Sequence, residues 1–274
     1  MGLERPVVLS VAPHPDDELL GAPATLMALR DAGWRVLNLA CSLGRAGDRE
    51  RRRRELEQAC ALAGFDLLVP EQLPPIGRDD DLADAQTALA ATVLATVQET
   101  GARLIVGPSP HDGHHGHEVA GRAIRDAVER GRERRRVSFW GLWADLPFPN
   151  LLVSFGAERL AEIQAALAAH QGQLARNRYD RLLAGRAAAD AVLGPERVFG
   201  FGTGGLGAGG SSDAGEFAEL LCDLGWSPAA GWRLALPRLF DPSDVGAPGP
   251  EPAGPKLGWW LHATSAADQL RQDP

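Results

Sequence analysis

Short apolar runs alternate with amphipathic stretches over the first half of the chain. Residues 6–12, 34–41, 66–69, 103–107 and 137–143 are rich in Val, Leu, Ile and aromatic side chains and read as strands. Between them, residues 21–32 (closed by Gly33), 48–63, 81–100 and 117–131 carry helical spacing. Strands that are apolar on both faces need helices above and below them, which is the situation of a parallel sheet. The alternation therefore predicts an α/β fold: a Rossmann-like, three-layer α/β/α domain with a mostly parallel sheet. In the common 3-2-1-4-5 strand order, strands one and four are neighbours. The winding reverses between them and leaves a crevice at their carboxyl ends, where a site is expected.

Beyond residue 150 the pattern changes. Residues 158–189 read as largely helical, and residues 200–215 form a Gly-rich stretch. That stretch is read as a solvated surface loop, with a lid over the crevice as the alternative; no strand–loop–helix unit around it supports phosphate binding. Residues 241–258 are rich in Pro and Gly and are expected to be irregular. The division expected is a core over residues 1–200 and an extension over 201–274 packed on the same domain.

Composition narrows the classes. A net charge of -8 argues against a nucleic-acid binder, which usually shows a basic face. The three cysteines, Cys41, Cys60 and Cys222, are widely spaced and form neither a disulfide framework nor a CxxC metal site. No signal peptide and no long apolar span stand out, so a cytoplasmic protein with no membrane association is expected. A small-molecule substrate is the expected partner, and a homo-oligomer is allowed for.

Five of the seven histidines fall in two clusters. The first, His14-Pro15-Asp16-Asp17-Glu18, follows the first strand. The second, His111-Asp112-Gly113-His114-His115-Gly116-His117, follows the fourth. Adjacent acids at the end of a buried strand are costly unless something positive binds there. A catalytic metal site usually takes three protein ligands of imidazole or carboxylate type. His14 and Asp17 from the first loop and His117 from the second supply such a set. Zn2+ is the expected metal, and the same donors suit Fe2+ or another divalent ion. Asp16 is placed to act as general base on a water whose pKa the metal lowers to ~7. His114 is placed to protonate a leaving amine or to stabilise an oxyanion.

These segments resemble the LmbE-like, or PIG-L-like, family of metal-dependent de-N-acetylases. The strand followed by His14-Pro15-Asp16-Asp17-Glu18 is similar to the family's opening signature. Arg52-Arg53-Arg54-Glu55-Leu56 is similar to its Arg-x-x-Glu-Leu helix, and His114-His115-Gly116-His117 to its His-Pro-Asp-His stretch. Ala168-Ala169-His170-Gln171-Gly172-Gln173 is a weaker echo. The resemblance implies removal of an N-acetyl group from an N-acetylglucosamine-type sugar in a small glycoconjugate. It implies Zn2+ on His14, Asp17 and His117, with Asp16 as base and His114 in the proton-transfer or oxyanion role. It also implies Arg52 in contact with substrate. Two positions depart from the family. Gly116 replaces an acid, leaving Asp112 to orient His114, and Asp112 replaces a tyrosine of some relatives and is assigned to substrate contact. The rival readings are an amidase acting on a longer N-acyl or thiol-conjugate substrate and a non-catalytic metal-binding homologue. The remaining arginines near Arg52 are expected to form a solvated helix face paired with Glu50, Glu55 and Glu57.

Overall fold

A computed structural model of the chain describes residues 5–77, 80–202, 215–245 and 254–264. β1 (Val7–Ala12) is buried at every position, as the apolar run requires. The short helix α1 (Asp17–Leu20) follows directly, and α2 (Pro23–Asp31) starts at a proline, whose missing N–H is harmless at a helix start. β2 (Arg35–Ala40), α3 (Arg49–Ala63) and β3 (Asp66–Leu68) come next. α4 (Leu82–Thr100) is capped by Asp81, whose side chain accepts from the Ala83 N–H at 3.0 Å. β4 (Leu104–Pro108), α5 (His115–Gly131) and β5 (Arg135–Trp140) complete the alternating half.

Strands β3, β2, β1, β4 and β5 lie in that order and all pair in parallel. Val8 pairs with Val36 on one side and Leu104 on the other, so β1 and β4 are neighbours as the 3-2-1-4-5 order requires. The two sheet faces bury separate cores. Val8, Val36, Leu104 and Val106 pack with residues of α2 and α3. Leu9, Leu37, Ile105 and Phe139 pack with residues of α4 and α5. Alternate side chains of one strand thus feed opposite layers.

The second half departs from the sequence reading. β6 (Leu151–Phe155) follows β5, and residues 157–199 are not one helix but three: α6 (Ala157–Leu167), α7 (Gln171–Leu174) and α8 (Tyr179–Phe199). β7 (Phe217–Ser227) then enters the main sheet between β5 and β6, antiparallel to both. β8 (Gly231–Leu234) pairs with β7, β9 (Arg238–Leu239) pairs with β6, and a last turn forms α9 (Gly258–Leu261). β7 also reaches back to the first half. Glu219, on β7, accepts the Ala24 N–H at 2.6 Å, the Thr25 N–H at 2.9 Å and the Thr25 hydroxyl at 2.7 Å. A buried carboxyl group therefore satisfies the amino end of α2 from 195 residues away. The Gly-rich stretch lies outside the described residues over 203–214. Among the described residues no helix is long and apolar enough to cross a membrane.

Candidate metal centre

The loops after β1 and β4 meet at the crevice. His14 hydrogen-bonds through Nδ1 to Asp17 Oδ2 at 3.1 Å, and its backbone N–H donates to the same oxygen at 2.8 Å. That oxygen also lies 3.2 Å from His117 Nε2. One carboxylate oxygen therefore joins the two loops. His114 is the N-cap residue of α5, and ring nitrogens of His14, His114 and His117 lie within 4.8 Å of one another.

His117 is nearly inaccessible and is aimed from behind. Its Nδ1 donates to Asp112 Oδ2 at 2.7 Å, which turns Nε2 towards the cluster. The other Asp112 oxygen accepts the Leu142 N–H at 2.6 Å and the Trp143 N–H at 3.2 Å. Asp112 is completely buried. This corrects the substrate-contact assignment, because both oxygens are spent inside the protein. It also does not orient His114; the partner it holds is His117. The ring of His114 instead stacks between His115 and Trp143, with centroids at 4.3 and 5.9 Å.

Gly116, where the sequence departs from the family motif, has a spatial reason. A Cβ there would lie 2.8 Å from His14 Cε1 and 2.9 Å from Nε2. The His14 ring fills the volume that a side chain at 116 would need.

Electrostatics follow from burial and crowding. Burial opposes ionisation of Asp17, but the imidazoles of His117 and His14 outweigh it and hold the carboxyl far below its usual range. Burial also works against a charged His117, and Asp17 and Asp112 overcome it to raise the ring to about 10. Burial lowers His14. Burial, with His117 and His14 nearby, pushes His114 down to about 3, leaving it neutral at pH 7. The buried Nδ1 of His114 has no hydrogen-bond partner. Three imidazoles and a carboxylate converging on one point, one buried nitrogen among them unpartnered, fit a divalent metal. Two donor sets surround that point: His14, Asp17 and His117, as expected, and the three histidines alone.

Asp16 is held by a different group of residues. Its φ is 117°, a left-handed conformation that side chains rarely adopt. Its backbone N–H donates to Glu18 Oε2 at 2.9 Å, and Gln173 Nε2 donates to its Oδ2 at 2.9 Å. Glu18 in turn receives His170 Nε2–H at 2.6 Å, with both side chains fully buried. Burial and the adjacent Asp17 charge push Asp16 up to about 7. The sequence gives Gln173 no role of its own. The signal was the Ala168–Gln173 echo, whose His170 and Gln173 are the two residues that reach back to this loop.

The cluster forms the floor of a cleft of about 590 Å³, walled by Arg45, Arg52, Pro75, Ile76, Trp143 and Tyr179 among others. Arg52 reaches the loop after β1, donating through Nη2 to the Pro15 carbonyl at 3.0 Å.

Residues 9–128 match the family described as PIG-L, GlcNAc-PI de-N-acetylase. That segment holds both histidine loops and the strands that carry them. The chain is 31% identical over 145 residues to a probable N-acetyl-alpha-D-glucosaminyl L-malate deacetylase 2 of Bacillus cereus. That match takes in 47% of this chain and spans 64% of the relative's length. The fold is similar to that of the conserved protein TT1542 from Thermus thermophilus, with a TM-score of 0.58 and 24% identity. The match covers 86% of this chain and 97% of that one. It is also similar to a zinc-inhibited form of teicoplanin deacetylase Orf2, with a TM-score of 0.55 and 16% identity over 68% of this chain and 93% of that one. The matched segment ends in α5; beyond it, Gln173 of α7 and Tyr179 of α8 help to line the cleft, and β7 extends the sheet.

Proposed function

We propose that the protein is a zinc-dependent hydrolase that removes the N-acetyl group from an N-acetylglucosamine-type sugar in a small glycoconjugate. The observation that carries this reading is Asp16. A buried carboxylate is held in a strained backbone conformation beside a cluster of metal-binding character, at the floor of a cleft with room for a sugar. Similarity to the Bacillus cereus deacetylase and to the zinc-inhibited deacetylase Orf2 supports the same chemistry.

In this reading His14, Asp17 and His117 hold the metal. When bound, it polarises the amide carbonyl and lowers the pKa of a coordinated water. Asp16 takes the proton of the attacking water on a carboxylate oxygen, with Gln173 fixing the other oxygen. A group pushed up to about 7 accepts a proton readily near neutrality and releases it again to the departing amine. His114, neutral at pH 7, donates an N–H to the carbonyl oxygen as negative charge develops there. Its lowered basicity makes the oxyanion role the better of the two expected for it. Asp112 keeps His117 in the tautomer that presents Nε2.

The test is an amine-release assay on N-acetylglucosamine glycosides with as-purified, chelated and Zn2+-restored protein. Amine should appear, vanish with chelator and return with Zn2+. Asp16→Asn should lose turnover by about 10²-fold or more and keep its metal. Stoichiometric metal without amine release from any N-acetylated sugar would refute the proposal.

A further inference from the structure

Residues 141–150, between β5 and β6, form no regular element, yet their peptide groups are held from both sides. On the inner side, the N–H groups of Leu142, Trp143 and Ala144 converge on Asp112 Oδ1 at 2.6, 3.2 and 3.5 Å. Successive amides turned to one point make a concave seat for an oxygen acceptor, and here the Asp112 side chain fills it. On the outer side, α8 supplies two guanidinium groups. Arg186 Nη1 donates to the Leu142 carbonyl at 2.8 Å, and Arg197 Nη2 donates to the Leu146 carbonyl at 2.7 Å.

The Leu142 carbonyl and the Trp143 N–H belong to one peptide unit. A trans peptide is planar and points these two groups in opposite directions. That single plane is therefore held between Asp112 and Arg186, and a donor on its carbonyl polarises the N–H that it turns to Asp112. Asp112 passes the constraint on, since its other oxygen fixes His117 Nδ1 at 2.7 Å. Close packing does not supply this constraint. A cavity of about 30 Å³ lies between the loop and α8, lined by Leu142, Leu146, Arg186, Ala187, Asp190 and Arg197 among others. Ion pairing does not explain the position of Arg186 either. Asp145 lies 3.5 Å from it but is 76% exposed, and pairs of that kind contribute little. Trp143 carries the arrangement into the cleft, where its ring stacks on that of His114.

We propose that Arg186 is a positioning residue of the metal centre, acting through the Leu142–Trp143 peptide and Asp112 to keep His117 Nε2 aimed at the metal. It does not line the cleft, and it lies on α8, outside the residues 9–128 that match the deacetylase family. The relay rests on the metal reading of the histidine cluster and is independent of which substrate the cleft takes.

The experiment is a Zn2+ competition titration with a chromophoric chelator on the full chain, with thermal unfolding of the metal-free forms in parallel. Arg186→Ala should weaken Zn2+ binding about tenfold. Arg186→Lys, whose ammonium still donates to the Leu142 carbonyl, should recover most of that loss. Arg197→Ala removes an equivalent bond from the same loop. It should lower Tm by a similar amount and weaken Zn2+ by less than about twofold. Asp145→Ala should likewise stay within about twofold of wild type. In the Asp112→Asn background, Arg186→Ala should cost no more than about twofold further, because the relay is already cut. A loss in Arg197→Ala as large as that in Arg186→Ala overturns the proposal, since loop stability alone would then account for it. Additive losses from Arg186→Ala and Asp112→Asn overturn it too. Wild type that holds Zn2+ tightly, with Arg186→Ala matching it, removes the relay and leaves the metal centre standing. Wild type that takes up no divalent ion overturns the metal reading and the relay with it.

Discussion

Replacing His170 by Ala is the most informative single change, because it acts on the proposed base without touching the cleft. His170 and Glu18 meet at 2.6 Å with both side chains fully buried. Removing one partner of a buried pair typically destabilises by about 3–5 kcal/mol, since the other charge is left unpaired. In a chain of this size about 1 kcal/mol corresponds to ~2–4 °C in Tm, so a fall of roughly 6–20 °C is expected for the metal-free protein. Glu18 would also lose its fixed position, and with it the acceptor of the Asp16 N–H. A left-handed side-chain residue stores about 1–3 kcal/mol of strain, which Asp16 would then be free to relieve. Turnover should fall about tenfold or more with little change in KM. The Glu18→Gln, His170→Ala double variant should be less destabilised than the sum of the single changes by at least about 1 kcal/mol. pH adds a signature. Burial works against a charged His170, and the Glu18 charge outweighs it, so its folded pKa lies above 6.5. The stabilisation is complete below 6.5 and is lost as pH rises through the raised value, so the gap between wild type and His170→Ala should narrow in alkali. Thermal unfolding across pH, with amine-release kinetics, reads all of this. A Tm loss under about 3 °C, or additive single changes, would refute the coupling.

Asp112→Asn puts an amide nitrogen against either His117 or the Leu142 N–H, both of which need an acceptor. Metal affinity should fall about 10–100-fold in a competition titration with a chromophoric chelator; an unchanged value would remove Asp112 from the site's support. Gly116→Ala places a methyl against the His14 ring and should weaken metal binding about tenfold in the same titration. Retained affinity would mean that His14 does not need that space. Glu219 is pushed up to about 7 by burial, against the opposing pull of its three donors. Its folded form therefore keeps a proton that the unfolded chain releases near 4.5, and stability falls as pH rises between these values. The advantage of wild type over Glu219→Gln should shrink across that window by about 3 kcal/mol, read by denaturant unfolding; a constant gap would show that the carboxylate stays ionised throughout.

Much of the site was legible because it lies at strand ends. The runs that became β1 and β4 are apolar on both faces, and such runs have few places to go except a covered parallel sheet. Once they are neighbours, the loops bearing His14, Asp16, Asp17, His114 and His117 must meet at one edge. What escaped was whatever depends on residues far away in the chain. β7 carries apolar residues like any strand, yet nothing local says that it enters the sheet antiparallel between β5 and β6. The long helical reading of residues 158–189 missed the break around His170, because that break exists to bring His170 and Gln173 against Glu18 and Asp16.

Periodicity and residue type were enough to read five alternating strands and the chemistry carried at their carboxyl ends, and the common doubly wound arrangement supplied their expected order. Tertiary structure alone decided partnership. Asp112 reads as a cleft residue until its two oxygens are seen to be spent on His117 and the Leu142 backbone. The arginines around Arg52 read as one solvated face until successive side chains, turned about 100° apart, find different surroundings. Arg51, Arg53 and Arg54 meet acids, while Arg49 and Arg52 face a cleft whose far wall is supplied more than a hundred residues later. Which polar group ends up satisfied is a property of everything packed around it, and that is fixed only when the chain has closed.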